Sequence, residues 1–94
     1  MLLHIGEDTN VSLDEVLFIL DNRSLSDDMR RYIEKAKREH RYTGLGKRPP
    51  RSYVVSMEKD CEIVYGTNIS SIALEKRGKQ LAMLNRFYIE HEAE

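Results

Sequence analysis

The sequence predicts an α+β protein: a small single domain, mainly antiparallel β-sheet with two helices. Three observations carry this. Apolar residues fall in short runs of four to six bounded by turn residues, too short for independent helices. One stretch, Met29 to Ala36, shows helical spacing instead. No strand–helix–strand alternation of the kind that builds a parallel sheet recurs along the chain. With 94 residues there is material for a single core. Residues 1–80 are read as the domain and residues 81–94 as an amphipathic C-terminal tail.

In order, Met1 to Ile5 is a short strand closed by Gly6, and Glu7 to Asn10 is a turn in which Asn10 suits a left-handed backbone. Val11 and Leu13 alternate with Ser12 and Asp14, as in a half-buried strand. Asp14-Glu15 turns the chain into the continuous apolar run Val16 to Leu20, read as a buried strand that ends at Asp21 to Ser24. Ser24 or Ser26 caps a helix whose first turn carries Asp27 and Asp28, favoured by the helix dipole. Met29, Tyr32, Ile33 and Ala36 share one face, and Arg38, His40 and Arg41 close the helix before Tyr42. Ser52 to Met57 and Cys61 to Tyr65 form a hairpin around Glu58-Lys-Asp60. Beyond Gly66 to Ser71, rich in capping residues, lies a short second helix broken near Gly78. Leu81, Met83, Leu84, Phe87 and Tyr88 then recur at helical spacing, in a tail that either packs back or covers a neighbour.

Between the first helix and the hairpin lies Tyr-Thr-Gly-Leu-Gly-Lys-Arg-Pro-Pro-Arg, residues 42–51. Gly44 and Gly46 permit unusual backbone angles, and Pro49 and Pro50 forbid helix and lack amide donors. The loop carries Lys47, Arg48 and Arg51 with no acid among them. A cationic loop held by a strand suits a polyanion, because phosphate contact needs positive charge and little other chemistry. A solvated surface loop is the competing reading. The net charge of -1 hides a segregation. Arg30 to Arg51 holds nine Lys/Arg against two Glu, while Met1 to Met29 holds Arg23 against seven acids. Two faces of opposite character follow from that pattern.

No apolar run approaches the roughly 18 residues of a membrane helix, and no basic region precedes the short apolar start, so the reading is cytoplasmic, with no signal peptide and no membrane. Cys61 is alone, which excludes an internal disulfide; it is read as a small core residue. His4, His40 and His91 are scattered, without zinc-ligand spacing. Gly44-Leu-Gly-Lys47 lacks both the earlier glycine and the following hydroxyl of a phosphate loop, for Arg41 and Arg48 occupy those places. The chain is therefore expected to be no enzyme and to need no cofactor or metal.

Leu3-His-Ile-Gly6, the run Val11 to Asp21, the helix with its Lys/Arg end, the strand Arg51 to Ser56 and the segment Tyr65 to Arg77 occur here in order. Together they resemble the RemA/RemB family of bacterial extracellular matrix regulators, and more closely its RemB-type branch. The resemblance spans roughly Leu2 to Arg77. It implies a protomer similar to LytTR-type DNA-binding domains and a cytoplasmic regulator that binds double-stranded DNA and activates biofilm-matrix genes. It further implies a homo-oligomer, since the RemA branch forms rings around which DNA can lie, and a RemA-type paralogue as a further partner. By position, the family's Gly-Arg-Arg segment falls on Gly46, Lys47 and Arg48, and its pre-strand arginine on Arg51. Arg41, at the entry to the loop, completes the expected nucleic-acid-binding set. Glu15 stands where the family has a basic residue, and the insertion of Pro49 or Pro50 shifts the loop. The alternative is a self-assembling or adaptor protein of the same fold without DNA affinity, joined through its apolar tail.

Overall fold

In the computed structural model, residues 1–92 are described, with side chains through residue 84. The element order is β1 (Leu2–Gly6), β2 (Thr9–Ser12), a 3-10 turn (Leu13–Glu15), β3 (Val16–Asp21), a second 3-10 turn (Asn22–Ser24), α1 (Asp27–Arg38), β4 (Tyr42–Gly44), β5 (Ser52–Glu58), β6 (Cys61–Thr67) and α2 (Ser71–Glu92). β1 and β2 form a separate antiparallel hairpin. The other strands make one sheet in the order β3-β5-β6-β4, antiparallel except for the β4–β6 pair. This is the expected α+β class.

Alternation along the strands divides the core into two layers, because successive side chains point to opposite faces. Tyr53 and Val55 of β5 and Val64 of β6 pack against Ile33 and Ala36 of α1. Val54, between them, faces the other way, toward Leu3, Ile5, Val11 and Leu74. The sheet thus lies between α1 on one side and the β1–β2 hairpin with α2 on the other.

The first helix starts where the caps place it: Ser26 Oγ accepts from the Met29 amide at 3.1 Å. It ends in a Schellman-type turn, with the Arg41 amide donating to the Ala36 carbonyl at 2.8 Å and His40 at φ 60°. The β1–β2 turn puts positive φ on Glu7, not on Asn10. In the β5–β6 hairpin Lys59 and Asp60 both have positive φ, the two-residue geometry that matches strand twist.

Three elements differ from the sequence reading. β3, expected to be a buried strand, is an edge strand of the sheet with no residue fully buried. Tyr42 to Gly44 is a short strand running parallel to β6, not the start of a loop. Gly66 makes this possible, for a Cβ there would lie 2.1 Å from the Tyr42 hydroxyl oxygen. The second helix does not break near Gly78: α2 runs on to Glu92, so the boundary expected between residues 80 and 81 falls inside it. Gly78 faces Leu13, whose Cδ1 would be 3.6 Å from a Cβ, an ordinary contact distance; Leu74 and Leu81 pack toward the same core. Packing on that face outweighs the roughly 1 kcal/mol that an internal glycine costs a helix. After Leu81, Ala82, Met83 and Leu84 are all exposed, so the helix has left the core by that point. The side chains of Phe87 and Tyr88 lie outside the described residues. Cys61 opens β6 half-buried and is not part of either core cluster.

Candidate nucleic-acid interface

The basic loop sits at the end of the sheet where β4 and β6 finish and β5 begins. Its entry is held by Leu45, whose side chain is buried in the core and whose amide donates to the Gly66 carbonyl at 2.8 Å. At its exit the Arg51 amide donates to the Thr67 carbonyl at 2.8 Å. One residue further on, the buried Ser52 Oγ donates to the Ile69 carbonyl at 2.6 Å. Only Gly46 to Pro50 stands clear of these anchors. The short span and two prolines restrict the tip, so its charges are presented with less conformational freedom than in an open loop.

Gly46 takes φ 80°, and a Cβ there would lie 2.7 Å from Glu7 Oε1. The positive φ is what calls for glycine, since the exposed Glu7 side chain can turn aside; its closeness places the β1–β2 turn beside the loop. Lys47, Arg48 and Arg51 are exposed, and among the described residues none of the three forms an ion pair. Glu7 lies beside Gly46, on the flank of the loop rather than within it.

Arg41 does not join this cluster. It precedes β4, so the length of that strand separates it from the loop. Its guanidinium donates to Glu39 at 2.6 Å and to the Glu62 carbonyl at 2.8 Å, leaving its side chain 19% exposed. Glu39 holds its carboxyl below the usual range because Arg41 hydrogen-bonds to it. Tyr32 donates to Glu62 beside this network, and burial, then the Glu62 carboxylate, pushes its phenol up. These contacts tie α1 to β6 at the far end of the sheet and make Arg41 a structural residue.

The sequence reading missed the residues around Arg51. Asp21, Asn22 and Arg23 follow β3 and, with Pro50, Arg51, Ser70 and Ser71, line a cleft of about 170 Å³. That is below the size range of cofactor and drug-sized ligand pockets. Asp21 accepts from the Arg23 amide at 2.8 Å, from its Nη2 at 2.9 Å and from Ser71 Oγ at 3.2 Å. The hydrogen bonds from Arg23 draw the Asp21 carboxyl down to about 2. Asp21 therefore neutralises Arg23, and Arg51 is the cation of this cleft that has no carboxylate partner among the described residues. The only sequence signal for this arrangement is the turn-forming character of Asp-Asn-Arg-Ser.

Among the described residues no group of His, Cys, Asp and Glu is placed to hold a metal ion. No described helix is long and apolar enough to cross a membrane. Against models of known protein families, and against curated proteins, the chain finds no match.

Proposed function

We propose that this chain is an oligomeric DNA-binding regulatory protein of the RemA/RemB kind, which contacts duplex phosphates through Lys47, Arg48 and Arg51. The observation that carries this is the loop itself: three exposed cations without ion-pair partners among the described residues, on a loop pinned at both ends to the sheet. A pinned cation loses little freedom when it meets a phosphate, so more of its attraction survives as affinity. Three contacts from one protomer give weak binding at physiological salt. An oligomer repeats the loop, and each further contact is then made at high effective concentration. No described helix offers a face rich in Asn, Gln and Arg for base edges, so sequence preference comes from DNA shape and deformability. On this reading the protein is cytoplasmic and non-enzymatic and acts on matrix genes, alone or with a RemA-type paralogue.

A second reading keeps the fold and the self-association but not the DNA. It is favoured by the exposed Leu17 and Phe18 on β3, whose outer edge pairs with no other strand among the described residues, and by the exposed Met83 and Leu84.

Light scattering combined with fluorescence anisotropy on an AT-rich duplex separates the two. The DNA reading expects an oligomer whose binding falls by about 0.9 log units per phosphate contact for each tenfold rise in salt. Lys47→Ala/Arg48→Ala removes two contacts per protomer and flattens that slope. An oligomer that ignores the duplex at every salt concentration supports the second reading.

A further inference from the structure

We infer that Asn22 positions Arg51 for phosphate contact, an inference that rests on the DNA-binding reading above. Asn22 opens the 3-10 turn after β3 and reaches the loop's exit with both of its amide groups. Its backbone N–H donates to the Arg51 carbonyl at 3.0 Å, and its side-chain Nδ2 donates to the Pro50 carbonyl at 2.9 Å. Two consecutive carbonyls of the loop are thus held by one residue 28 positions away.

The chemistry of the segment explains why this clamp is needed. Pro49 and Pro50 have no amide hydrogen, so this part of the loop cannot anchor itself by donating. Its carbonyls are the groups left to hold, and a side-chain amide supplies the donor that a carboxylate or a methyl lacks. Arg51's own amide points the other way, to the Thr67 carbonyl at 2.8 Å. The backbone of Arg51 is therefore gripped from the end of β3 and from the end of β6 at once. Asp21, next to Asn22, is occupied by Arg23 and Ser71. Arg51 is left with a fixed backbone and a guanidinium that has no partner among the described residues, which is the state that suits a phosphate.

A double-mutant cycle tests this with the full chain and a labelled AT-rich duplex. Asn22→Ala is expected to weaken binding roughly two- to tenfold, the worth of a net hydrogen bond expressed through Arg51, and to lower the salt slope toward that of Arg51→Ala. In an Arg51→Ala background it has almost no further effect, whereas in a Lys47→Ala background its effect is retained in full. A loss of folded protein alone reduces the active fraction without changing the slope, so the slope distinguishes positioning from destabilisation. Thermal unfolding sets the working temperature, and Asn22→Ser takes the place of the alanine variant if that one does not fold. Wild-type binding in which the Asn22 and Arg51 effects multiply independently overturns the inference alone. Wild-type protein without salt-dependent binding overturns the DNA reading and the role of Asn22 with it.

Discussion

Replacing Gly66 with alanine tests how the loop's entry is built. The added methyl lies 2.1 Å from the Tyr42 hydroxyl oxygen, 3.0 Å from its ring carbon and 3.3 Å from Pro50 Cβ. Tyr42 is not free to swing aside: its ring packs against Tyr53 at 6.3 Å between centroids, with Lys37 Nζ over it at 4.9 Å. Overpacking of this kind costs about 1–3 kcal/mol, against which reduced freedom of the unfolded chain returns about 0.4–1 kcal/mol. The net loss is about 1–2 kcal/mol, or a fall in Tm of roughly 5–15 °C for a domain of this size. Circular dichroism melts of Gly66→Ala measure it directly. The same change in a Tyr42→Phe background removes the closest contact and should recover more than half of the loss. Among the described residues the Tyr42 hydroxyl has no hydrogen-bond partner, so Tyr42→Phe alone is mild. An unchanged Tm in Gly66→Ala, or equal losses in both backgrounds, would refute the packing described for β4 and β6.

Other perturbations give equally definite expectations. Ser56 Oγ is buried without a hydrogen-bond partner among the described residues, so Ser56→Ala should leave stability unchanged or raise it by about 1 kcal/mol; a loss of that size in urea unfolding would mean the hydroxyl is bonded. Burial of the Tyr65 phenol, then its 2.7 Å hydrogen bond to Glu58, pushes its pKa up to about 12. A folded-state pKa above the unfolded value of about 10 means this contribution is complete below pH 10 and is lost as pH rises toward 12. Tyr65→Phe should therefore show a shallower decline in stability over that interval than the wild type, and parallel declines would exclude Tyr65 as a source.

What the sequence made legible was mostly local chemistry. Ser26 with Asp27 and Asp28 marks the start of α1, and the apolar runs on either side of Glu58-Lys-Asp60 mark the β5–β6 hairpin. The loop was visible through its prolines and unbalanced charge. The misses share a different origin: they depend on partners distant in the chain. β4 is three residues long and exists because Gly66 admits Tyr42. α2 passes through Gly78 because Leu74 and Leu81 are already seated in the core. Arg41 belongs by sequence to the basic stretch, yet Glu39 and the Glu62 carbonyl hold it at the opposite end of the sheet. Asn22 carries no charge and no motif, and its meaning depends on Pro50 and Arg51 arriving beside it.

Lysine footprinting locates the contact surface most directly, because the lysines sample different faces of the molecule. Acetylation of the protein with and without an AT-rich duplex at low salt, read by peptide mass spectrometry, compares Lys47 with Lys35, Lys59, Lys76 and Lys79 in one sample. The account predicts protection of Lys47 by the duplex, lost on raising the salt, with the other four reacting as before. Protection of Lys35 on α1 or of Lys76 and Lys79 on α2, with Lys47 still reactive, would contradict it.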